Sequence, residues 1–163
     1  MSETGAGDGR GYELPMLLFA GFRSLIDELH ERLADEGHPD VRPAYGFALQ
    51  AVGLQGATAS EVGRRLGVSK QAAGKTVERL EALGYVERVD DPADGRRKLV
   101  RLTARGTQVL VRSGEIFDEL HAKWADALGS RRLADLESGL RAVVPGAVAG
   151  GGFRVDVAGW FGG

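Results

Sequence analysis

Residues 66–106 read LGVSKQAAGKTVERLEALGYVERVDDPADGRRKLVRLTARG. The first part predicts a helix over 70–83, because a serine can cap its start and a glycine can end it. Apolar and polar residues then alternate over 85–89 and again over 98–102, which predicts two short strands. The residues between them, 90–95, are dense in Asp, Pro and Gly, so the strands should form a hairpin around a polar loop.

A shorter helix should precede this one and join it through a tight turn. Thr58 and the glutamate three positions later can form a capping box at its start, and Gly67 can end it. Gly63 fits a close crossing of two helices, since glycine inside a helix otherwise costs about 1 kcal/mol. The pattern predicts a helix-turn-helix over about 58–83, followed by a β-hairpin wing over 85–102.

The second helix of such a unit enters the major groove and reads bases with its N-terminal residues. Gln71 can pair with adenine, and Lys70 or Lys75 with guanine, while Arg79 would face the phosphate backbone. Small residues at 72–74 would let the helix lie deep in the major groove. The same pattern also fits a plain amphipathic helix with a solvated polar face. The candidate base-reading or groove-facing residues are Ser69, Lys70, Gln71, Gly74 and Lys75.

The hairpin that follows favours nucleic acid. A ribbon placed after a recognition helix can reach the neighbouring minor groove, where a slender arginine enters. The predicted loop offers Arg96 and Arg97, and Asp94 could accept from Arg96 and hold its guanidinium extended. The alternative is a polar hairpin tip whose charge is incidental.

Composition and charge agree with a soluble DNA-binding protein. The chain has 163 residues and a formal net charge of −2, with a surplus of basic residues over 60–101 and a surplus of acids elsewhere. A basic segment inside an acidic chain is a possible footprint for nucleic acid. With no cysteine, disulfides, thiol chemistry and Cys-ligated zinc are excluded. We expect a cytoplasmic protein with no membrane span and no secretory signal.

Residues 57–106 resemble the winged helix-turn-helix of the MarR family of bacterial transcriptional regulators. The most specific piece is DPADGRRKLVRLT, from Asp91 to Thr103. The resemblance implies a mainly α fold with a small β-hairpin wing (α+β) and long N- and C-terminal dimerisation helices. It implies a homodimer that places two recognition helices in successive major grooves of a pseudo-palindromic operator. By the same resemblance, Arg96 matches the wing-tip arginine and Asp94 the acid that braces it.

The domain organisation follows from these pieces. We expect one MarR-type domain over 12–145, between a flexible tail at 1–11 and a Gly-rich C-terminal arm at 146–163 that departs from the family pattern. Its DNA-binding part is 57–106. Apolar stripes on the long helices exceed what a winged module can cover, so they need each other or a second copy of the chain. The dimerisation helices are expected at 13–36, 104–128 and 131–144.

The sequence therefore predicts a DNA-binding transcriptional regulator, most simply a homodimeric repressor, with double-stranded DNA and a second copy as partners. No cofactor, metal or enzymatic activity is expected. By resemblance a small, often aromatic effector would release the operator. Four aromatic residues could line its cleft, although they are equally ordinary core: Phe19, Phe22, Tyr45 and Phe47.

Two other functions stay open at this point. The first is a winged-helix module used for protein–protein contact without sequence-specific DNA binding. The second is a small helical enzyme, for which the sequence offers no convergent catalytic set. The fragment AGKT at 73–76 resembles the end of a phosphate-binding loop, but Ser69 stands where its first glycine is required, and the fragment lies within a helix.

Overall fold

Six α-helices and one two-stranded hairpin form the part of the chain that this computed structural model describes, residues 10–144. A 3-10 turn, Arg10–Tyr12, leads into the first helix, so the end of the expected tail is ordered into that turn. The rest of the tail and the Gly-rich arm lie outside the described residues. The elements are α1 Glu13–Asp35, α2 Pro43–Val52, α3 Ala59–Leu66, α4 Lys70–Ala82, β1 Val86–Asp91, β2 Asp94–Leu102, α5 Ala104–Leu128 and α6 Ser130–Val143.

Local signals define the helix-turn-helix of α3 and α4. The Thr58 hydroxyl accepts from the Glu61 amide at 3.2 Å, and the Glu61 carboxylate accepts from the Thr58 amide at 2.7 Å, so the capping box is present. Gly67 has a φ of 70°, in the left-handed region that favours glycine. A Cβ at Gly63 would lie 3.0 Å from the carbonyl oxygen of Val68. The glycine therefore allows the close crossing of the two helices.

The wing is a tighter hairpin than the sequence predicts. Strands β1 and β2 are antiparallel and leave only Pro92 and Ala93 between them, so the expected six-residue loop over 90–95 is wrong. The two strands stay paired into the predicted loop, where Asp90 lies opposite Lys98 and forms an ion pair with it. A register shift between the last two residues of β1 accommodates the turn.

One continuous core joins the winged module to the long helices. It includes α1 from Leu29 onward, the inner faces of α2, α3 and α4, and the middle of α5. The stripe predicted along α1 is buried only in this second half, since Leu18 is 43% exposed. In α6, Leu133 is buried and Val143 is exposed. The long helices thus leave apolar side chains outside the core. Among the helices of residues 10–144, none is long and apolar enough to cross a membrane.

A polar joint connects the winged module to the long helices. The Tyr85 hydroxyl, buried just before β1, lies 3.0 Å from Nδ1 of buried His38 and accepts from Arg105 at 3.2 Å. Arg105 also donates to the carbonyl oxygen of Gly37 and stacks 4.8 Å from the centre of the Tyr85 ring. A Cβ at Gly106 would overlap the carbonyl oxygen of Tyr85. The start of α5 therefore packs directly against the chain that enters the wing.

Candidate nucleic-acid interface

Helix α4 presents a polar, cationic face on the side away from the core. Ser69 caps the helix, its hydroxyl accepting from the Ala72 amide at 3.1 Å. The inward positions Ala73, Val77 and Leu80 are fully buried. Ala73 therefore packs inside against α3, and the expectation that it helps the helix enter a groove is wrong. The exposed side chains of the opposite face are Ser69, Lys70, Gln71, Lys75 and Arg79.

The cations on this face form no ion pair in the described part of the chain. Within residues 10–144, no carboxylate lies within ion-pair distance of Lys70, Lys75 or Arg79, and Gln71 makes no side-chain hydrogen bond. The acid Glu81 of the same helix instead binds Arg88 of β1 at 3.4 Å. Because their charges are uncompensated by protein, these side chains can neutralise an anionic ligand.

The wing shows the opposite arrangement, because most of its cations are neutralised by its own strands. Arg97 donates to Asp91 at 3.0 Å, and Arg101 donates to Glu87 at 2.7 Å, while Lys98 pairs with Asp90. The Ala93 amide and the Arg97 guanidinium lower the pKa of the Asp91 carboxyl, which therefore stays ionised. The charge count along the sequence overstates the free positive charge of the wing.

Arg96 is the exception in the wing. The Asp94 carboxylate accepts from the backbone amide of Arg96 at 3.1 Å and not from its guanidinium. The prediction that Asp94 holds the Arg96 guanidinium extended is therefore wrong. A carboxylate that bonds the amide two residues later is the usual Asx turn, and it shapes the backbone. The arginine braced by a carboxylate is Arg97, through Asp91. Within residues 10–144 the exposed Arg96 side chain has no ion pair.

Gly74 has no packing role inside the protein. A Cβ built there would meet no atom within 4 Å, in contrast to Gly63 in the neighbouring helix. Glycine inside a helix is unfavourable relative to alanine by about 1 kcal/mol. Gly74 is half-buried, and the open space beside it leaves room for the close approach of a surface outside the protein.

An open cleft of about 440 Å³ runs beside the cationic face, with Tyr45 of α2 on its other side. Of the four aromatic residues expected around an effector, Tyr45 alone lines this cleft. Phe22 and Phe47 are half-buried, and Phe19 is 56% exposed on α1. No pattern in the sequence signals that Tyr45 and α4 are neighbours, because the contact depends on how α2 packs against α4. The lining residues are Tyr45, Ser69, Gln71, Ala72, Lys75, Thr76 and Arg79.

Solved structures with the same fold include complexes with DNA. Streptococcus pneumoniae FabT in complex with DNA matches with a TM-score of 0.71 at 20% identity, over 81% of this chain and 93% of that chain. A mutant of E. coli MarR complexed with operator DNA matches with a TM-score of 0.64 at 27% identity, over 82% and 94%. PcaV from Streptomyces coelicolor, in complex with its natural ligand, matches with a TM-score of 0.59 at 25% identity, over 86% and 95%.

A model of the MarR family matches residues 40–97, from the loop before α2 to the second strand of the wing. The match to the MarR family thus covers the helix-turn-helix and most of the wing. No sequence match is found among curated proteins. The resemblance and the mainly α fold with a hairpin wing are therefore confirmed. MarR proteins are transcriptional regulators, and the α4 face and Arg96 described above lie in the MarR-type part of the chain.

Proposed function

We propose that this chain is a homodimeric MarR-type transcriptional repressor that binds a pseudo-palindromic operator in double-stranded DNA and is released by a small effector. The observation that carries the proposal is the face of α4, where Lys70, Lys75 and Arg79 are exposed and form no ion pair within residues 10–144, in a chain of net charge −2. Unpaired cations around a glutamine, on the second helix of a helix-turn-helix, match both terms of DNA recognition, phosphate charge and base edges.

Each side chain has a distinct role in this proposal. Gln71 reads adenine, and Lys70 and Lys75 read guanine, from the start of α4 in the major groove. Arg79, two turns further on than Gln71, contacts phosphate. Arg96 enters the minor groove from the wing, while Asp94 and Arg97 shape the wing turn. The open space at Gly74 allows the helix to approach the groove floor.

The long helices supply the dimer. Large apolar side chains are exposed on α1, α5 and α6, where a two-fold partner would cover them. Two recognition helices related by that axis fit half-sites about 34 Å apart, one turn of DNA. Operator symmetry then follows from protein symmetry. The exposed side chains include Leu14, Met16, Leu17, Phe19, Leu128, Leu136 and Val143.

Regulation would act on the spacing of the two recognition helices. PcaV, which shares the fold, is known in complex with its natural ligand. A small, aromatic effector that binds between the long helices and the winged module favours one spacing over another. A spacing that no longer matches successive grooves weakens binding, and Phe22 and Phe47, both half-buried, are the side chains we assign to such a pocket.

The test of DNA binding is selection from a random duplex pool, followed by affinity measurements on the selected site at several salt concentrations. We expect an inverted repeat with half-site centres about 10 bp apart and a steep fall of affinity with salt. Absence of any salt-sensitive binding would favour the protein-interaction module instead.

A matched pair of lysine variants tests whether the α4 face is responsible. Lys75→Ala removes an unpaired cation, whereas Lys98→Ala removes one that is neutralised by Asp90 on the wing. We expect Lys75→Ala to weaken binding by about ten-fold or more, and Lys98→Ala to change it by less than about three-fold. Equal effects of the two variants would mean that general charge, and not this face, binds DNA.

A further inference from the structure

We infer that Tyr45 is a DNA-contact residue, whose hydroxyl donates to a backbone phosphate beside the recognition helix. This inference rests on the proposed function and adds α2 to an interface otherwise made of α4 and the wing. It assigns to the cleft beside α4 an occupant of stated chemistry, a phosphodiester group of the operator.

The cleft and the base-reading face are one surface. Gln71, Lys75 and Arg79 are spaced four residues apart, so they form one row along α4, and all three line the cleft opposite Tyr45. A duplex that brings its bases to Gln71 and Lys75 therefore covers the cleft. Its major groove is about 12 Å wide, close to the diameter of a helix with side chains, so phosphates flank α4 on both sides.

The tyrosine is held in place for such a contact. Its ring is half-buried and packs against the core, which limits its side-chain freedom. Within residues 10–144 the Tyr45 hydroxyl has no hydrogen-bond partner. Arg79 on the facing wall carries an unpaired positive charge. A neutral donor opposite a cation provides two different donors to one phosphate, and hydrogen bonds to charged acceptors are stronger than those between neutral groups.

The decisive variant is Tyr45→Phe, which removes only the hydroxyl and keeps the packed ring. We expect affinity for the selected operator to fall by about ten-fold, by the same factor for every base substitution in the half-site, because a phosphate contact carries no sequence information. The slope of affinity against salt should not change, since a neutral hydroxyl displaces no counterion, whereas Arg79→Gln should reduce that slope by about 1 for each site. Tyr12→Phe, on the exposed tyrosine before α1, is the matched control and should bind as the wild type.

Operators with single neutral methylphosphonates identify the partner. At one position in each half-site, the substitution should remove the difference between wild type and Tyr45→Phe, because the phosphate that the hydroxyl contacts has lost its charge. Wild-type affinity for Tyr45→Phe, a loss that varies with base sequence, or no position that removes the difference would overturn the inference. So would unchanged DNA affinity with an altered response to a small aromatic carboxylate, which would make the cleft an effector site.

The two proposals fail in different ways. If the wild-type protein itself shows no salt-sensitive binding to DNA, the proposed function fails. If the wild type binds and Lys75→Ala weakens it while Tyr45→Phe does not, only the assignment of Tyr45 fails. Thermal melting of each variant, expected to be close to that of the wild type, separates a lost contact from a lost fold.

Discussion

The winged module and the long helices have surfaces of opposite character. The exposed large apolar side chains of residues 10–144 lie outside 57–102, most of them on α1, α5 and α6. The cations of α1 and α5 are mostly paired: Arg32 binds Glu28 at 2.7 Å, and Arg112 binds Glu36 at 2.9 Å. In the winged module the large apolar side chains are inside, and the cations of the outer face of α4 and of the wing tip form no ion pair with any described residue. One region is suited to an apolar protein surface and the other to a polyanion.

The comparison shows how one chain separates two kinds of binding. Along α1 and α5, carboxylates neutralise most of the cations, so these helices present little free positive charge. In the wing, ion pairs neutralise Arg97, Lys98 and Arg101, whereas Arg96 forms no ion pair with any residue of the described range. The two regions thus differ in which cations are paired, a difference that the net charge of −2 does not reveal.

The largest effect is expected at the joint between the two regions. Gly106→Ala places a Cβ against the carbonyl oxygen of Tyr85, so the start of α5 must move away from the wing. We expect a loss of about 3 kcal/mol or more in the free energy of unfolding. Gly114→Ala in the same helix has open space and should instead be neutral or slightly stabilising. Urea unfolding of both variants checks this, and equal stabilities would mean that the two regions are not tightly joined there.

The next prediction disrupts the apolar region alone. Leu17 is 62% exposed on α1, so Leu17→Glu should leave the folded monomer intact while placing a charge in the proposed dimer interface. We expect light scattering to report a monomer, and operator affinity to fall by about 100-fold because one half-site must bind alone. Leu54→Glu, at a residue 72% exposed in the loop before α3, is the control and should remain a dimer. A dimeric Leu17→Glu protein would place the interface elsewhere.

The third prediction separates two neighbouring arginines of the wing. Arg96→Ala removes an unpaired guanidinium, so operator binding should weaken by about 1–3 kcal/mol and the salt slope should decrease. Arg97→Ala removes the partner of Asp91 and should act only through the shape of the wing, with a smaller loss. Fluorescence anisotropy at several salt concentrations measures both. If Arg97→Ala lost more affinity and more of the salt slope than Arg96→Ala, Arg97 and not Arg96 would be the DNA-contacting arginine.

These contrasts also show what the sequence could predict. Caps, the left-handed Gly67 and the close crossing at Gly63 are local signals, because each depends on residues within about six positions. The length of the wing loop was wrong, and so was the partner of Asp94. Both depend on strand register, which places Asp90 opposite Lys98. The pairing of each arginine with one of several acids depends on the three-dimensional structure and cannot be predicted from composition.

The position of Tyr45 is the clearest case of information absent from the sequence. As an aromatic residue near the start of α2, it has the sequence pattern of an ordinary core residue, and it is in fact half-buried. Its other side faces α4 only because α2 packs against that helix. Tertiary packing therefore places beside α4 a residue that the sequence left open between an effector cleft and ordinary core.

The fourth prediction concerns pH at the joint. Burial and the nearby Arg105 guanidinium lower the pKa of His38, although Glu36 acts in the opposite direction. Below the ordinary value of 6.5 the unfolded chain then binds more protons than the folded one, so stability should fall as pH drops below about 6.5 and stay flat above it. His38→Gln should lose this dependence, measured by urea unfolding between pH 5 and 8, whereas His121→Gln on the exposed face of α5 should keep it. A wild-type curve that is flat over this range would contradict the prediction.

The smallest effect is expected at one glycine of α4, where a substitution should raise stability and lower DNA affinity. Gly74→Ala fills open space inside a helix, so it should raise the free energy of unfolding by about 0.5–1 kcal/mol. The same methyl group extends into that open space and should hold the helix away from the groove floor, which weakens operator binding. We expect urea unfolding to report a more stable protein and fluorescence anisotropy to report weaker DNA binding. Gly114→Ala, neutral or slightly stabilising, should show no loss in affinity, because it lies on α5, outside the proposed DNA interface. Unchanged DNA affinity in Gly74→Ala would show that α4 does not enter the groove at this turn, even if its cations contact the backbone.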